Sequence, residues 1–147
     1  MDDTKTLRIE RTYRASAEAV FDAWTSPEVM RRWWQAGKDW ETAEAEVDLR
    51  VGGAVRVVMF DPAKDVRYGG GGVYTEIDRP NRLAFTWIWD DVPDLRTQIE
   101  IDFREADGAT TVSFTHSGLP DEEQVRSHER GWGLVLDNLG KDLAGDE

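Results

Sequence analysis

The chain has 147 residues, a formal net charge of −12 and no cysteine. That length suits one domain, 1–147, with a core of its own, and a surface this acidic repels phosphate backbones and anionic lipid heads, which argues against nucleic-acid or peripheral membrane binding. The missing cysteines exclude disulfides, zinc–thiolate sites and thiol catalysis and fit a reducing cytoplasm.

Met1-Asp2-Asp3 opens the chain with acids instead of the basic and then apolar pattern of a secretion signal, and no run of about 18 apolar residues exists to insert in a membrane. Leu7, Ile9, Arg11 and Tyr13 then share one side of a first strand. Two helix starts follow within Thr12–Trp34. Ser16 is a capping hydroxyl with Glu18 in the first turn, and Val20, Phe21 and Trp24 make one apolar face. Ser26-Pro27-Glu28 restarts a helix, with a second capping hydroxyl and a proline where its missing N–H costs nothing. Gly37 stops this second helix soon after Trp33 and Trp34, so the two helices make a bent bracket that needs a larger body to hold.

Ala43–Leu49 alternates as a second strand, and Gly52-Gly53 turns it into Ala54–Phe60. Asp61-Pro62 ends that strand. Gly69–Gly72 is not a phosphate loop, because Val73–Ile77 continues as a strand where a helix would be needed; the run is expected to be a flexible lead-in at the edge of a cavity. Leu83, Phe85, Trp87 and Trp89 share one face of the next strand. Ile99, Ile101 and Phe103 mark another, and the turn at Asp107-Gly108 leads to Val112, Phe114 and His116. Gly118-Leu119-Pro120 breaks the sheet. Val125, His128, Trp132, Leu136, Leu139 and Leu143 then form one apolar stripe on a helix of roughly twenty residues that starts at Asp121. Gly131 and Gly133 inside that helix point to a close approach of its backbone to the sheet.

The order strand, two short helices, six antiparallel strands and long helix defines an α+β architecture: about seven twisted antiparallel strands around a long C-terminal helix. One helix cannot fill the concave side of so large a sheet, so an internal cavity is expected between them.

Motifs spread along the chain resemble one known family. They are AEAVFDAWTSPEVMRRWW, Asp48-x-Arg50-x-Gly52-Gly53, Gly72-x-Tyr74-x-Glu76-Ile77, Arg82-Leu83-x-Phe85-x-Trp87, Thr110-Thr111-Val112 leading to His116, and His128-x-x-Gly131-Trp132 with Leu136 and Leu139. In this order and spacing the chain resembles the SRPBCC or START-like superfamily, whose helix-grip fold is shared with the major birch pollen allergen. Within it the chain is most similar to the branch named after the activator of the heat-shock-protein-90 ATPase. The resemblance implies the helix-grip fold and its cavity. It does not imply one reaction, since members bind lipids, sterols, hormones or polyketides, some cyclise or hydrolyse, and others act on a chaperone.

His116 follows Val112 and Phe114 on one strand face and points inward if they do, while His128 lies on the stripe of the last helix. Either is a candidate general base, but the plainer reading, and the one favoured for each, makes His116 a satisfied core or rim histidine and places His128 at the helix edge. Two histidines without clustered carboxylates do not make a metal set, and no cofactor motif is present. Trp87, Trp89, Phe85 and Trp132 suit both a core and a pocket wall, with Tyr74 as a polar handle and Trp34 and Trp40 near the mouth. Asp48 and Arg50 read as a surface ion pair or a pocket cation, and alternation turns Glu76 and Glu100 to solvent.

The leading reading is a cytoplasmic binder of a small hydrophobic or aromatic molecule, using Trp34, Tyr74, Phe85, Trp87, Trp89, His116, His128 and Trp132. The second is a cyclase- or hydrolase-type enzyme with His116 or His128 as base; a histidine sealed behind tryptophans would count against it. The third, ranked last, is a module acting on a chaperone ATPase, because the known activators carry a further N-terminal domain. A free strand edge leaves room for a homodimer.

Overall fold

The computed structural model describes residues 4–145; the acidic opening Met1-Asp2-Asp3 and the last two acids, Asp146 and Glu147, lie outside the described residues. Strand β1 (Lys5–Tyr13) is followed by helices α1 (Ala17–Thr25) and α2 (Pro27–Trp33). Six strands come next: β2 (Glu41–Val47), β3 (Ala54–Asp61), β4 (Val66–Asp78), β5 (Arg82–Trp89), β6 (Thr97–Ala106) and β7 (Ala109–Leu119). Helix α3 (Glu122–Leu143) closes the fold. The strands form one antiparallel sheet in the order β1-β7-β6-β5-β4-β3-β2, so β2 to β7 run as a meander and β1 returns to pair with β7. This is the α+β helix-grip architecture expected from the sequence.

The helix boundaries follow from local chemistry. Ser16 Oγ accepts the Ala19 N–H at 3.1 Å and caps α1. Ser26 occupies the cap position of α2 but makes no side-chain bond there, so Pro27 in the first turn carries the start signal. Asp121 caps α3 by accepting the Gln124 N–H at 2.9 Å, with Glu122 and Glu123 in the positive first turn.

The core is dominated by indoles. Trp24, Trp33, Trp34 and Trp87 are fully buried and pack as a continuous cluster: Trp24 meets Trp33 edge-on at 4.7 Å, and Trp34 stacks on Trp33 at 5.4 Å and on Trp87 at 5.7 Å. Phe114 and Trp132 join it from β7 and α3, with ring centroids 4.7 Å apart. Each such pair adds about 0.5–1.5 kcal/mol beyond the area it buries. The bracket of α1 and α2 thus drives tryptophans into the concave face of the sheet and fills much of the space between sheet and helix.

Two glycine readings change. Strand β4 begins at Val66, and the glycine run lies inside it, with Gly69–Gly72 paired to Val55–Val58 of β3. Gly70 is there because the Trp87 ring lies on its backbone: a Cβ would sit 2.7 Å from Cζ2 of that ring. On α3, Gly131 abuts Ala36, just past α2, and the tight approach to the sheet is at Gly140, where a Cβ would lie 3.0 Å from the Tyr13 ring of β1. Tyr13 also donates its hydroxyl to the Leu136 carbonyl at 2.7 Å, which ties β1 to α3.

Candidate functional site

The space between α3 and the sheet is an open cleft of about 860 Å³ at the N-terminal end of the helix. One wall is α3, through Gln124, Ser127, His128, Gly131, Trp132 and Val135. The opposite wall is the far half of the sheet, through Met59 of β3, Val66 and Tyr68 of β4 and Trp89 at the end of β5, while Val58, Arg67 and Gly69 reach its rim from the sheet's other face. Trp34, Ala36 and Trp40, from the turn between α2 and β2, close one side, and Asp90 to Val92 close the other. Met59 Sδ accepts the Ala36 N–H at 3.3 Å and holds that turn against β3. Trp40 stacks flat on Tyr68, with centroids 4.8 Å apart and planes 11° apart, at the rim. Gly69 lies beneath the bidentate Arg56–Asp90 pair, whose two bonds measure 2.9 and 2.8 Å.

The candidate residues divide between this cleft and the layer behind it. Trp34, Trp89, His128 and Trp132 line the cleft. Tyr74, Phe85, Trp87 and His116 are buried and outside its lining. Trp87 is one layer back, edge-on to Trp89 at 5.3 Å and stacked on Trp34. The aromatic row of β5 therefore packs edge to face, with one end in the cleft and the other in the core. Among the described residues the Tyr74 hydroxyl has no hydrogen-bond partner, and burial raises its pKa.

Both histidines are held by indoles. Trp132 Nε1–H donates to His116 Nδ1 at 3.1 Å, so the ring proton sits on Nε2, which lies 2.8 Å from Thr97 Oγ1. Thr97 Oγ1–H in turn donates to the Trp87 carbonyl at 2.6 Å. Burial, with His128 adding to it, pushes the His116 pKa down to about 3. His128 has the opposite tautomer. Its Nδ1 lies 2.8 Å from the Gln124 carbonyl, which can only accept, and its Nε2 accepts the Trp89 indole N–H at 3.1 Å. Burial lowers its pKa as well. The rings are 5.2 Å apart, and every nitrogen on them is engaged. Among the described residues no group of three or more His, Cys, Asp or Glu is placed to hold a metal.

The outlying charges have structural partners. Asp48 and Arg50 pair at 2.9 Å on the exposed turn between β2 and β3, away from the cleft. Glu76 and Glu100 face outward and, with Asp102, surround Arg82 on the sheet's solvent side. Met59, Tyr68, Arg56 and Val135 line the cleft without any sequence signal that set them apart.

Residues 14–144 match the model of the family described as Activator of Hsp90 ATPase homolog 1-like protein, and the chain belongs to that family. No curated protein matches it. Among solved structures, the AHSA1 protein from Silicibacter pomeroyi is 29% identical, with 95% of this chain and 98% of that one covered and a TM-score of 0.81. An AHSA1-like protein from Aeromonas hydrophila is also 29% identical, with 96% of each chain covered and a TM-score of 0.73. A protein from Chromobacterium violaceum, 24% identical over 95% of this chain and 97% of that one, has a TM-score of 0.85 and shares the fold.

Proposed function

We propose that this protein binds a small, mainly apolar or aromatic molecule in the cleft between sheet and α3, and sequesters or presents it without a catalytic step. The observation that carries this reading is the aromatic lining of a cleft of about 860 Å³, within the size range of small-molecule sites. Trp40, Tyr68 and Trp89 offer rigid, partly exposed faces, and the buried Trp34, Met59, Trp132 and Val135 back them. The histidines support binding over chemistry. A general base needs a free lone pair within reach of its substrate, and both imidazoles spend theirs on indole N–H groups. Of the two, His128 is the one in the cleft, so an enzyme of this fold would work through His128 after release of Trp89.

Among the described residues no helix is long and apolar enough to cross a membrane, and the absence of cysteine fits a cytoplasmic setting. The family description also names a chaperone ATPase, and an interaction module is the reading that takes over if the cleft binds nothing.

The test is native mass spectrometry of the purified protein, denaturing extraction of what co-purifies, and titration with the neutral probe Nile red. Ser127→Trp places an indole from the exposed helix wall into the cleft. The reading predicts stoichiometric binding to the wild type and its loss in Ser127→Trp with the thermal midpoint kept. Binding that survives in Ser127→Trp, or no binding at all, contradicts it.

A further inference from the structure

Among the described residues, one side-chain hydrogen bond joins the sheet wall of the cleft to its helix wall. The Trp89 indole N–H, at the end of β5, donates to His128 Nε2 on α3 at 3.1 Å. Both side chains are half-buried, so this bond lies on the accessible side of the aromatic core. Its polarity is fixed. His128 Nδ1–H donates to the Gln124 carbonyl at 2.8 Å, which leaves Nε2 as an acceptor, and an indole can only donate. Neither group finds a substitute behind it: His116, whose ring is 5.2 Å from that of His128, has its nitrogens on Trp132 and Thr97.

A molecule that enters the cleft meets this pair as one donor facing one acceptor. An ether or ketone that took the Trp89 N–H would leave Nε2 unpaired, and a group that only donates would strand the N–H. A hydroxyl fits between them, accepting from Trp89 and donating to His128, so that one bond becomes two. The other polar groups of the cleft do not discriminate in this way. The side chains of Tyr68, Gln124 and Ser127 each offer both a donor and an acceptor and are at least partly open to water. The rim charges are exposed or, like Arg56 with Asp90, paired. The partly exposed faces beside the bond are the rings of Trp89, Tyr68 and Trp40, which suit a flat body.

We propose that the ligand is an uncharged hydroxylated aromatic, with its ring against Trp89 and Tyr68 and its hydroxyl inserted between Trp89 Nε1 and His128 Nε2. This deepens the binder reading and rests on it.

The experiment is equilibrium dialysis, at neutral pH, of the wild type and of His128→Phe against naphthol, its methyl ether and naphthalene itself. The wild type is expected to bind naphthol about fivefold tighter than either of the others, the size of one net hydrogen bond. In His128→Phe the Trp89 N–H serves either oxygen, so naphthol and its ether should bind alike. A second readout needs no variant: in nitrogen spectra of the wild type, the His128 Nε2 resonance should move further with naphthol than with naphthalene. Equal binding of naphthol and its ether by the wild type, a naphthol preference that survives in His128→Phe, or an Nε2 resonance that moves no further with naphthol overturns the inserted hydroxyl and leaves the cleft standing. Failure of all three to bind overturns the cleft as an aromatic site together with the proposal.

Discussion

Trp132 donates its indole N–H to Nδ1 of His116 at 3.1 Å, and that bond decides what His116 can do. With Nδ1 filled and Nε2 facing Thr97, the ring is a neutral crosslink between α3, β7 and β6, sealed from solvent. Protonation would set an N–H against the Trp132 N–H. The folded pKa of about 3 lies below the ordinary 6.5, so between these values the unfolded chain binds the proton and the folded one does not. His116 therefore supports stability fully above pH 6.5, and that support is lost as pH falls from 6.5 toward 3, at about 1.4 kcal/mol per pH unit for one such group. His116→Gln can accept from Trp132 and donate to Thr97 without titrating. Urea unfolding at pH 7.0 and about pH 5 should show a smaller loss for this variant than for wild type; equal losses would refute the account.

Tyr13 and Tyr74 are both buried, and their hydroxyls are in opposite situations. Tyr13 donates to the Leu136 carbonyl, whereas the Tyr74 hydroxyl has no partner among the described residues. Tyr13→Phe should cost about 1 kcal/mol, and Tyr74→Phe should be neutral or stabilising by a similar amount. Chemical denaturation of the two variants side by side checks the contrast. A clear destabilisation by Tyr74→Phe would mean that its hydroxyl has a structural role.

At Gly70 a methyl group would meet the Trp87 ring at 2.7 to 2.8 Å, and the ring is held by Trp34 and Trp89. Gly70→Ala should destabilise by about 1–3 kcal/mol through overpacking, reduced by about 0.4–1 kcal/mol from the stiffer unfolded chain. Trp87→Phe removes the obstructing ring, so in that background Gly70→Ala should cost less. A double-mutant cycle reads the coupling, and strict additivity would show that the glycine is required for another reason.

The order of elements was legible because apolar periodicity marks each of them, and the inward turn of His116 followed from Val112 and Phe114 on the same strand face. What His116 bonds was not legible, since Thr97 and Trp132 lie 19 and 16 residues away and nothing local pairs them. The glycine run read as a lead-in because glycine weakens strands in isolation. The ring of Trp87 and the Arg56–Asp90 pair demand bare backbone there, and that tertiary requirement overrides propensity. The residues that line the cleft were legible only in part. Alternation identified the aromatic row of β5, and Trp40 lies at the rim of the cleft, but periodicity cannot tell which end of a row faces a cleft and which faces core. Met59, Tyr68 and Arg56 enter the site through β3–β4 pairing, a non-local fact.

The seven tryptophans make the cleft directly observable, because each carries one indole N–H with its own resonance. Trp34, Trp40, Trp89 and Trp132 line the cleft, whereas Trp24 and Trp33 lie in the core outside that lining. The decisive measurement is a proton–nitrogen correlation spectrum of the indoles during titration with Nile red. The account predicts that the Trp40 and Trp89 resonances move most, those of Trp34 and Trp132 follow, and those of Trp24 and Trp33 stay in place. Shifts led by Trp24 and Trp33, or a saturating probe that moves none of the cleft indoles, would contradict it.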